Sequence, residues 1–430
     1  MSAAASPRRR QEVVSALRRG TVPAQGLDLL AVGLESFESA LDGELATVAG
    51  GGAVFKAVRG EYGSGKTFFT RHLAERAQRR GFATAEVQVS ETETPLHRLE
   101  TVYRRIIESL RTASVTPSAF RSILDAWLFT LEDDAAGGSV DAVLDERLAA
   151  VSRTTPAFAQ VLRAYRAAVA RSDPAEADAL VAWLGGQPHV AARAKRAAGV
   201  KGDLDHFGAM AALQGLLVVL RDAGHPGLLV VLDEVETLQR VRGDVRDKAL
   251  NALRQLIDEV DAGRFPGLYL MITGTPAFFE GPSGLSRLPP LAQRLHVDFA
   301  TDRRFDNPRA VQIRLAGFRR ESLVRLGARV RDLYADGSSA TDRVQATVDD
   351  AYLAALADAV TGSLGGQVGV APRVFLKKLV ADVLDRVDQF ADFDPRQHYA
   401  LTVVDSELTD VERNAARGPA SRPDDVDLDL

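Results

Sequence analysis

One eight-residue segment strongly constrains what this chain can fold into. Residues 60–67 read G-E-Y-G-S-G-K-T, after an apolar run from Ala53 to Val58 and before a helix-like stretch from Phe68 to Arg80. A glycine-rich turn between a strand and a helix lets consecutive backbone N–H groups surround phosphate, and the helix N-terminus adds its positive dipole end. The segment therefore predicts an α/β fold with a phosphate-binding loop.

The types of residue in this loop predict a nucleoside triphosphate as the ligand. Lys66 would reach the β- and γ-phosphates, and the Thr67 hydroxyl would ligate Mg²⁺. An ordinary glycine-rich turn is the alternative, but the flanking strand and helix favour the binding loop. The predicted nucleotide-binding residues here are Gly60, Glu61, Tyr62, Gly63, Ser64, Gly65, Lys66, Thr67 and Phe68.

Composition sets the broad class of the protein. A chain of 430 residues with 46% hydrophobic and 26% charged residues is typical of a globular protein with about two or three domains. Residues 405–430 carry eight acids and three arginines, so this tail accounts for the whole formal charge of −5. The absence of cysteine excludes disulfides and cysteine-ligated metals, and no signal peptide or membrane span is predicted. We expect a cytoplasmic protein.

A second strand carries the acids that such a loop requires. Leu228 to Leu232 are consecutive apolar residues, as in a strand buried on both faces, and Asp233 and Glu234 follow them. Asp233 would hold Mg²⁺ through its hydration shell. Glu234 would act as the general base that orients the attacking water. The alternative for these two acids is a turn that follows a strand.

A third strand, Leu268 to Ile272, ends in two threonines, Thr273 and Thr275. A hydroxyl at this position could contact the γ-phosphate or the attacking water, and Thr273 is the better candidate because it directly follows the strand. A threonine that caps the next helix is the alternative.

Three arginines further along are candidates for contacts to the transferred phosphate. Arg287 and Arg294 could each neutralise transition-state charge, in a neighbouring subunit of an oligomer. For both, a surface ion pair is the alternative. Arg373 directly precedes a helical pattern that runs from Val374 to Phe390. Its side chain could contact the γ-phosphate and report the nucleotide state to a lid. An ordinary surface arginine is the alternative there too.

The order of these motifs resembles an AAA+ ATPase, closest to the initiator or origin-recognition branch. The segment Val32-Gly33-Leu34-Glu35 resembles the box that lies against adenine in that superfamily, with Leu34 in place of the usual arginine. The resemblance implies that Gly33 lies beside the base, that the ligand is ATP with Mg²⁺, and that ATP is hydrolysed by an assembled oligomer.

A narrower resemblance covers residues 10–400. Gln11 to Pro23, Gly26-Leu27, Val32-Gly33 and the phosphate loop are similar to the ATP-binding proteins of BREX bacteriophage-exclusion systems, the BrxD kind. It implies a switch or motor in antiviral defence, with a DNA methyltransferase, a phosphatase-like protein and a helicase-like protein as partners, and action on DNA.

We predict four segments. Residues 1–52 are an N-terminal helical segment with the adenine-side box, and 53–305 are the AAA+ core, a parallel sheet flanked by helices with a helical insertion at about 111–202. Residues 306–400 form a helical lid, and 401–430 form an acidic, largely disordered tail. At the end of the insertion, Arg193, Lys195, Arg196 and Lys201 are either a phosphate-contacting patch or a solvated helix face.

Three functions remain open from the residues. The first is an ATP-driven switch or motor, and the second is a scaffold that senses ATP with little or no hydrolysis. Glu234 favours hydrolysis, because a sensor could dispense with the base. A kinase or transferase is the third, and it is disfavoured because such enzymes rarely combine Asp-Glu on this strand with an arginine-bearing helical lid.

Overall fold

The computed structural model describes residues 6–136, 138–149, 155–364, 372–409 and 413. The chain forms two compact units. The first, here called the sheet unit, comprises Ser39–Arg59 and Arg76–Arg314. The second, here called the helical unit, comprises the described residues before Ser39, the segment Gly60–Glu75 and the described residues from Leu315 onward. Each unit has its own core of buried apolar side chains.

Five parallel strands form the sheet. They are β1 (Val54–Arg59), β2 (Ala83–Gln88), β3 (Leu228–Asp233), β4 (Leu268–Gly274) and β5 (Gln312–Arg314), in the spatial order β2-β3-β4-β1-β5. Every residue of β3 and β4 is buried, which is why both strands appear as uninterrupted apolar runs in the sequence. The predicted mixed α/β fold with a parallel sheet flanked by helices is confirmed.

The register of the sheet brings the ends of the strands together. Gln88 at the end of β2 pairs with Asp233 at the end of β3, and Val58 of β1 pairs with Thr273 of β4. Because the strands are parallel, their carboxyl ends share one edge of the sheet. The residues that the sequence assigned to phosphate chemistry on β3 and β4 therefore lie at that edge.

Helices account for most of the remaining sheet unit. Between β2 and β3 the described residues form seven helices, as the apolar periodicity of that region predicts. They are α4 (Leu99–Ser109), α5 (Phe120–Asp134), α6 (Val140–Arg147), α7 (Pro156–Ala170), α8 (Pro174–Leu184), α9 (Ala192–Ala197) and α10 (His206–Asp222). After β3 come α11 (Gly243–Asp261), α12 (Pro276–Glu280) and α13 (Pro289–Leu295).

Earlier in the chain are α1 (Pro7–Arg18), α2 (Glu35–Ala49) and α3 (Lys66–Gln78). The helical unit continues after β5 with α14 (Arg320–Ala335), α15 (Thr341–Thr347), α16 (Asp350–Ser363), α17 (Pro372–Lys377), α18 (Asp385–Gln389) and α19 (Pro395–His398). A π-helical segment, Lys378–Leu384, joins α17 to α18. The predicted single helix from Val374 to Phe390 is thus one helical run with a widened middle. No helix of the described residues is both long enough and apolar enough to cross a membrane.

The domain boundaries and the lid stay predictions. Residues 410–412 and 414–430, most of the predicted acidic tail, lie outside the described part of the chain. One strand boundary differs from the prediction in a way that matters for function. β4 continues through Thr273 to Gly274, so Thr273 is a fully buried strand residue and does not follow the strand. The reason is the pairing of Thr273 with Val58 of β1.

A lysine is buried in the middle of β1. Lys56 is 1% exposed, and its Nζ lies 2.5 Å from Glu44 Oε1 and donates to the carbonyl oxygens of Pro308 at 3.1 Å and Ala310 at 2.8 Å. Glu44 also accepts a hydrogen bond from the hydroxyl of Tyr269 in β4. Three acceptors satisfy the ammonium group, which is the condition under which a lysine can be buried.

This network predicts a large effect of Lys56→Met. The substitution keeps the length of the side chain but leaves the Glu44 carboxylate without its cation, so we expect a loss of about 3 kcal/mol in the free energy of unfolding. Both tryptophans, Trp127 and Trp183, are buried in the sheet unit, so their fluorescence during urea denaturation follows this unit. Adding Glu44→Gln should recover part of the loss, and an unchanged midpoint for Lys56→Met alone would contradict the argument.

Candidate nucleotide site

The phosphate loop, Gly60–Thr67, belongs to the helical unit and follows β1 directly in the chain. Gly63 and Gly65 have φ angles of +76° and +88°, which side-chain-bearing residues rarely adopt. A Cβ on Gly60 would collide with the Ser64 hydroxyl. The backbone thus favours glycine at positions 63 and 65, and Gly60 leaves room for the Ser64 side chain.

Ser64 provides a direct test of whether this loop fits a phosphate ligand. Its Oγ is buried and forms no hydrogen bond with any residue that the structure describes. A buried hydroxyl without a partner is costly, and phosphate oxygens are acceptors that could satisfy it. The helix α3 begins at Lys66, so the last two residues of the loop form its N-terminus, as an anion site at a helix N-terminus requires. The residues present therefore fit a triphosphate.

The Lys66 side chain lies along the loop. It is 8% exposed, and its Nζ donates to the carbonyl oxygens of Gly60 at 2.8 Å and Glu61 at 3.3 Å. The same ammonium lies 5.2 Å from the ring centroid of Tyr62. Tyr62 and Glu61 are exposed on the outer side of the loop, and Thr67 and Phe68 form the first turn of α3. Two of the groups that hold the lysine at the loop are thus backbone carbonyls of the loop itself.

Glu75, two turns further along α3, ties the N-terminal segment to this helix. Its carboxylate accepts from Arg9 Nη2 at 2.7 Å and from the backbone N–H groups of Gly26 and Leu27 at 3.1 and 2.9 Å. The sequence did not indicate this role for Glu75. The adenine-side box follows a few residues later, where Gly33 is exposed with a φ of +77°.

Arg373 is the second residue of α17, and its side chain forms a hydrogen bond within the described residues. Its Nη2 donates to the backbone carbonyl of Glu407. The Glu407 carboxylate accepts from Lys377 Nζ at 3.0 Å and from Lys378 Nζ at 2.8 Å. Burial opposes ionisation of this carboxyl, but the two lysines outweigh it and lower the pKa of Glu407 to about 2. Residues 369–371, just before α17, lie outside the described residues.

In the sheet unit, Asp233 and Thr273 form one hydrogen-bonded group. Both side chains are buried, and the Thr273 hydroxyl donates to Asp233 Oδ1. The backbone N–H of Glu234 points at the same pair, 3.1 Å from Asp233 Oδ1 and 3.2 Å from Thr273 Oγ1. A carboxylate that accepts such bonds is held in a defined orientation. Asp233 therefore has the chemistry of a ligand for a hard cation.

Glu234 turns the chain sharply after β3. Its φ is +60° and its ψ +43°, a left-handed conformation that is uncommon for a residue with a long side chain. Thr237 Oγ1 donates to the Glu234 carbonyl at 2.9 Å, which together with the N–H contacts holds the turn. The turn directs the carboxylate back toward the sheet edge, where Oε2 accepts from Gln88 Nε2 at 2.8 Å.

Gln88 was missed by the sequence reasoning. Nothing in its local sequence distinguishes it, but its place as the last residue of β2 was a usable signal, because neighbouring parallel strands end at the same edge. In the structure its side-chain amide donates a hydrogen bond to Glu234, the predicted base.

Arg287 and Arg294 both pair with carboxylates of α11. Arg287 lies 3.1 Å from Asp247, and this hydrogen bond raises the pKa of Arg287. Arg294 pairs with Asp258 and lies 3.6 Å from Asp261, whose pKa burial raises. Both arginines are about two-fifths exposed, and ion pairs of that exposure are weak enough to exchange. Within one chain they behave as surface ion pairs.

A comparison of the sequence with protein families matches residues 5–403 to the family described as BREX system ATP-binding protein BrxC/D. The chain belongs to this family. The family resemblance predicted from the motifs is therefore confirmed, and it supports ATP binding within a phage-defence system. A search of curated proteins and of solved structures finds no match. For a BREX ATP-binding protein, the loop that leaves β1 is the expected place for the triphosphate.

The Asp233–Thr273 pair yields a testable expectation. Thr273→Val keeps the shape of the side chain but removes the hydroxyl donor, so Asp233 loses a buried hydrogen bond. We expect the free energy of unfolding to fall by about 1–3 kcal/mol. Thr273→Ser, which keeps the hydroxyl, should cost less.

Tryptophan fluorescence in urea measures both variants. Thr130→Val is the matched control, because its hydroxyl is exposed and donates only within its own helix. Equal stability of Thr273→Val and Thr130→Val would show that the hydrogen bond to Asp233 contributes nothing.

Proposed function

We propose that this BrxC/D-family protein is an AAA+ ATPase that hydrolyses ATP to ADP and phosphate and acts as a switch or motor in a BREX defence complex. The observation that carries the proposal is the phosphate loop itself. Gly63 and Gly65 have positive φ angles, the Ser64 hydroxyl is buried without a partner among the described residues, and Lys66 lies along the loop. In this proposal the phosphates take the acceptor positions around Lys66 and Ser64, and Gly33 lies on the adenine side.

Magnesium is part of the proposal through the chemistry of two oxygen ligands. The Thr67 hydroxyl and the Asp233 carboxylate would hold it, the latter in the orientation that Thr273 and the Glu234 N–H impose. Bound Mg²⁺ would neutralise charge on the β- and γ-phosphate oxygens. Oxygen ligands without cysteine or histidine suit this hard cation.

Glu234 is the proposed base. Its carboxylate would accept the proton of the attacking water while the oxygen of that water bonds to the γ-phosphorus and the ADP oxygen leaves. Gln88 would orient the carboxylate through the amide contact at 2.8 Å. Because this contact keeps the carboxylate at the sheet edge, Gln88 is a positioning residue and not a catalytic one.

Assembly and partners extend the proposal. An arginine from a neighbouring copy, Arg294 or Arg287, would leave its exposed carboxylate partner and supply charge to the γ-phosphate, and Arg373 would report nucleotide state within its own chain. Other BREX proteins are the expected partners, with DNA as the substrate polymer. Native mass spectrometry with and without ATP tests whether the oligomer depends on nucleotide.

Lys66→Ala tests the nucleotide site. We expect ATP affinity to fall about 100-fold or more, because two charge-assisted hydrogen bonds to phosphate are lost. Isothermal titration calorimetry with ATP and Mg²⁺ measures this, with the exposed Lys248→Ala as the matched control. Tight ATP binding by Lys66→Ala would show that the triphosphate binds elsewhere in the protein.

Glu234→Gln separates binding from hydrolysis. ATP should stay bound, since the loop and Asp233 are intact, while turnover should fall about 100-fold or more. Gln88→Ala, which removes only the orienting group, should reduce turnover less. Free phosphate released from labelled ATP measures turnover. If the parent protein binds ATP and leaves it unchanged, the protein is a nucleotide-sensing scaffold, and a labelled third product would make it a transferase.

A further inference from the structure

Between residues 121 and 171 the helices match their arginines to carboxylates. Each described arginine between residues 121 and 171 pairs with an aspartate or glutamate at 3.2 Å or less. These five are Arg121, Arg147, Arg163, Arg166 and Arg171. The stretch that runs from α9 to the start of α10 breaks this pattern.

Three cations in that stretch have no carboxylate partner. Arg193, Arg196 and Lys201 are exposed, and none lies within 4.0 Å of a carboxylate among the residues that the structure describes. Lys195 differs, because its Nζ lies 3.0 Å from Asp203 Oδ1. Of the four residues in the patch that the sequence suggested, three are thus unmatched cations. The fourth, Lys195, forms an ion pair within the protein.

The acids nearby are occupied. Asp203 accepts from the backbone N–H of His189 and from Lys195, and these two bonds, in that order, lower its pKa. Asp205 Oδ1 accepts from the N–H of Gly208 at 2.7 Å and caps α10. Neither carboxylate is directed at the unmatched cations, so the stretch presents positive charge to the solvent.

The backbone of this stretch is held in place. Trp183, a buried residue of α8, donates from Nε1 to the carbonyl of Gly202 at 3.0 Å. The Lys195–Asp203 pair connects α9 to the same turn. Arg193 and Arg196 in α9 and Lys201 in the following turn therefore lie on a backbone that these bonds hold in place.

An exposed aromatic ring follows these cations in the chain. Phe207, in the first turn of α10, is 74% exposed. His206 contacts it edge to face at 5.3 Å, and His206 in turn bonds to Gln255 at 3.2 Å. Six residues of chain separate Phe207 from Lys201, which limits their Cα separation to about 20 Å. An exposed ring and unmatched cations in one short stretch of chain are the two elements of a single-strand binding surface.

We propose that Arg193, Arg196, Lys201 and Phe207 form a binding surface for single-stranded nucleic acid. The cations would contact consecutive phosphates, and a base would stack on the open face of Phe207. Stacking requires an unpaired base, which a duplex does not offer, so the aromatic ring favours a single strand over a double helix. This deepens the nucleic-acid part of the proposed function and does not depend on ATP binding.

The test is fluorescence anisotropy of a labelled oligothymidine, measured without nucleotide at several salt concentrations. Phe207→Ala should weaken binding at least about fivefold, because it removes the aromatic face on which a base stacks. Phe207→Trp keeps an aromatic face and should retain binding. Replacing Arg193, Arg196 and Lys201 together by alanine should make the negative slope of log K against log salt shallower by about 2. Each phosphate contact to a single strand contributes about 0.7 to the magnitude of this slope.

Matched controls are available in the same unit. Phe129 is 72% exposed on α5, so Phe129→Ala removes an equally exposed ring, and Lys248→Ala removes an exposed cation elsewhere. Both should bind as the parent does, and tryptophan fluorescence confirms that each variant is folded. Absence of oligothymidine binding, equal losses in Phe207→Ala and Phe129→Ala, or a duplex bound as tightly as the single strand would overturn the proposal. Lys66→Ala should bind the oligothymidine normally, so a failed ATP site leaves this result unaffected.

Discussion

The parallel pairing of β1, β3 and β4 is the constraint on which the rest of the structure depends. Parallel strands end at one edge of a sheet, so residues far apart in sequence meet there once the register is set. Asp233 and Thr273 come within hydrogen-bonding distance for this reason, and Gln88 reaches Glu234 from the next strand. The phosphate loop leaves β1 at its carboxyl end in the chain. Each of these features would be lost by a shift of register, because a shift by one residue moves every side chain to the opposite face.

Buried polar groups show how strictly the interior of the sheet unit is organised. Lys56 is nearly inaccessible and has an ion pair and two carbonyl acceptors, and Asp233 has a hydroxyl and a backbone donor. Both satisfy the rule that a buried charge needs partners. Ser64 in the phosphate loop is the contrast, because its buried hydroxyl has no partner among the described residues. An unmatched polar group in a motif that binds phosphate is consistent with a ligand completing it.

Many charged side chains on the surface also have partners, but their ion pairs are weaker than the interactions of buried groups. Arg287 and Arg294 pair with α11, and the described arginines between residues 121 and 171 pair with nearby carboxylates. Exposed pairs of this kind contribute little to stability and can exchange. Unmatched charge is therefore more informative than matched charge, and it occurs around α9, a few residues before the exposed ring of Phe207.

The sequence by itself determined the motifs and the type of fold. The spacing of glycine, lysine and threonine, and the apolar runs before Asp233 and Thr273, depend on local backbone geometry and burial, which a linear pattern records. The tertiary structure alone decided that Thr273 lies inside β4, that Gln88 faces Glu234, that Lys56 is paired with Glu44, and that Lys195 is bonded to Asp203 while Arg193 and Arg196 are not. These contacts join residues that the sequence does not mark as neighbours. They follow from sheet register and helix packing, which no single segment of the chain encodes.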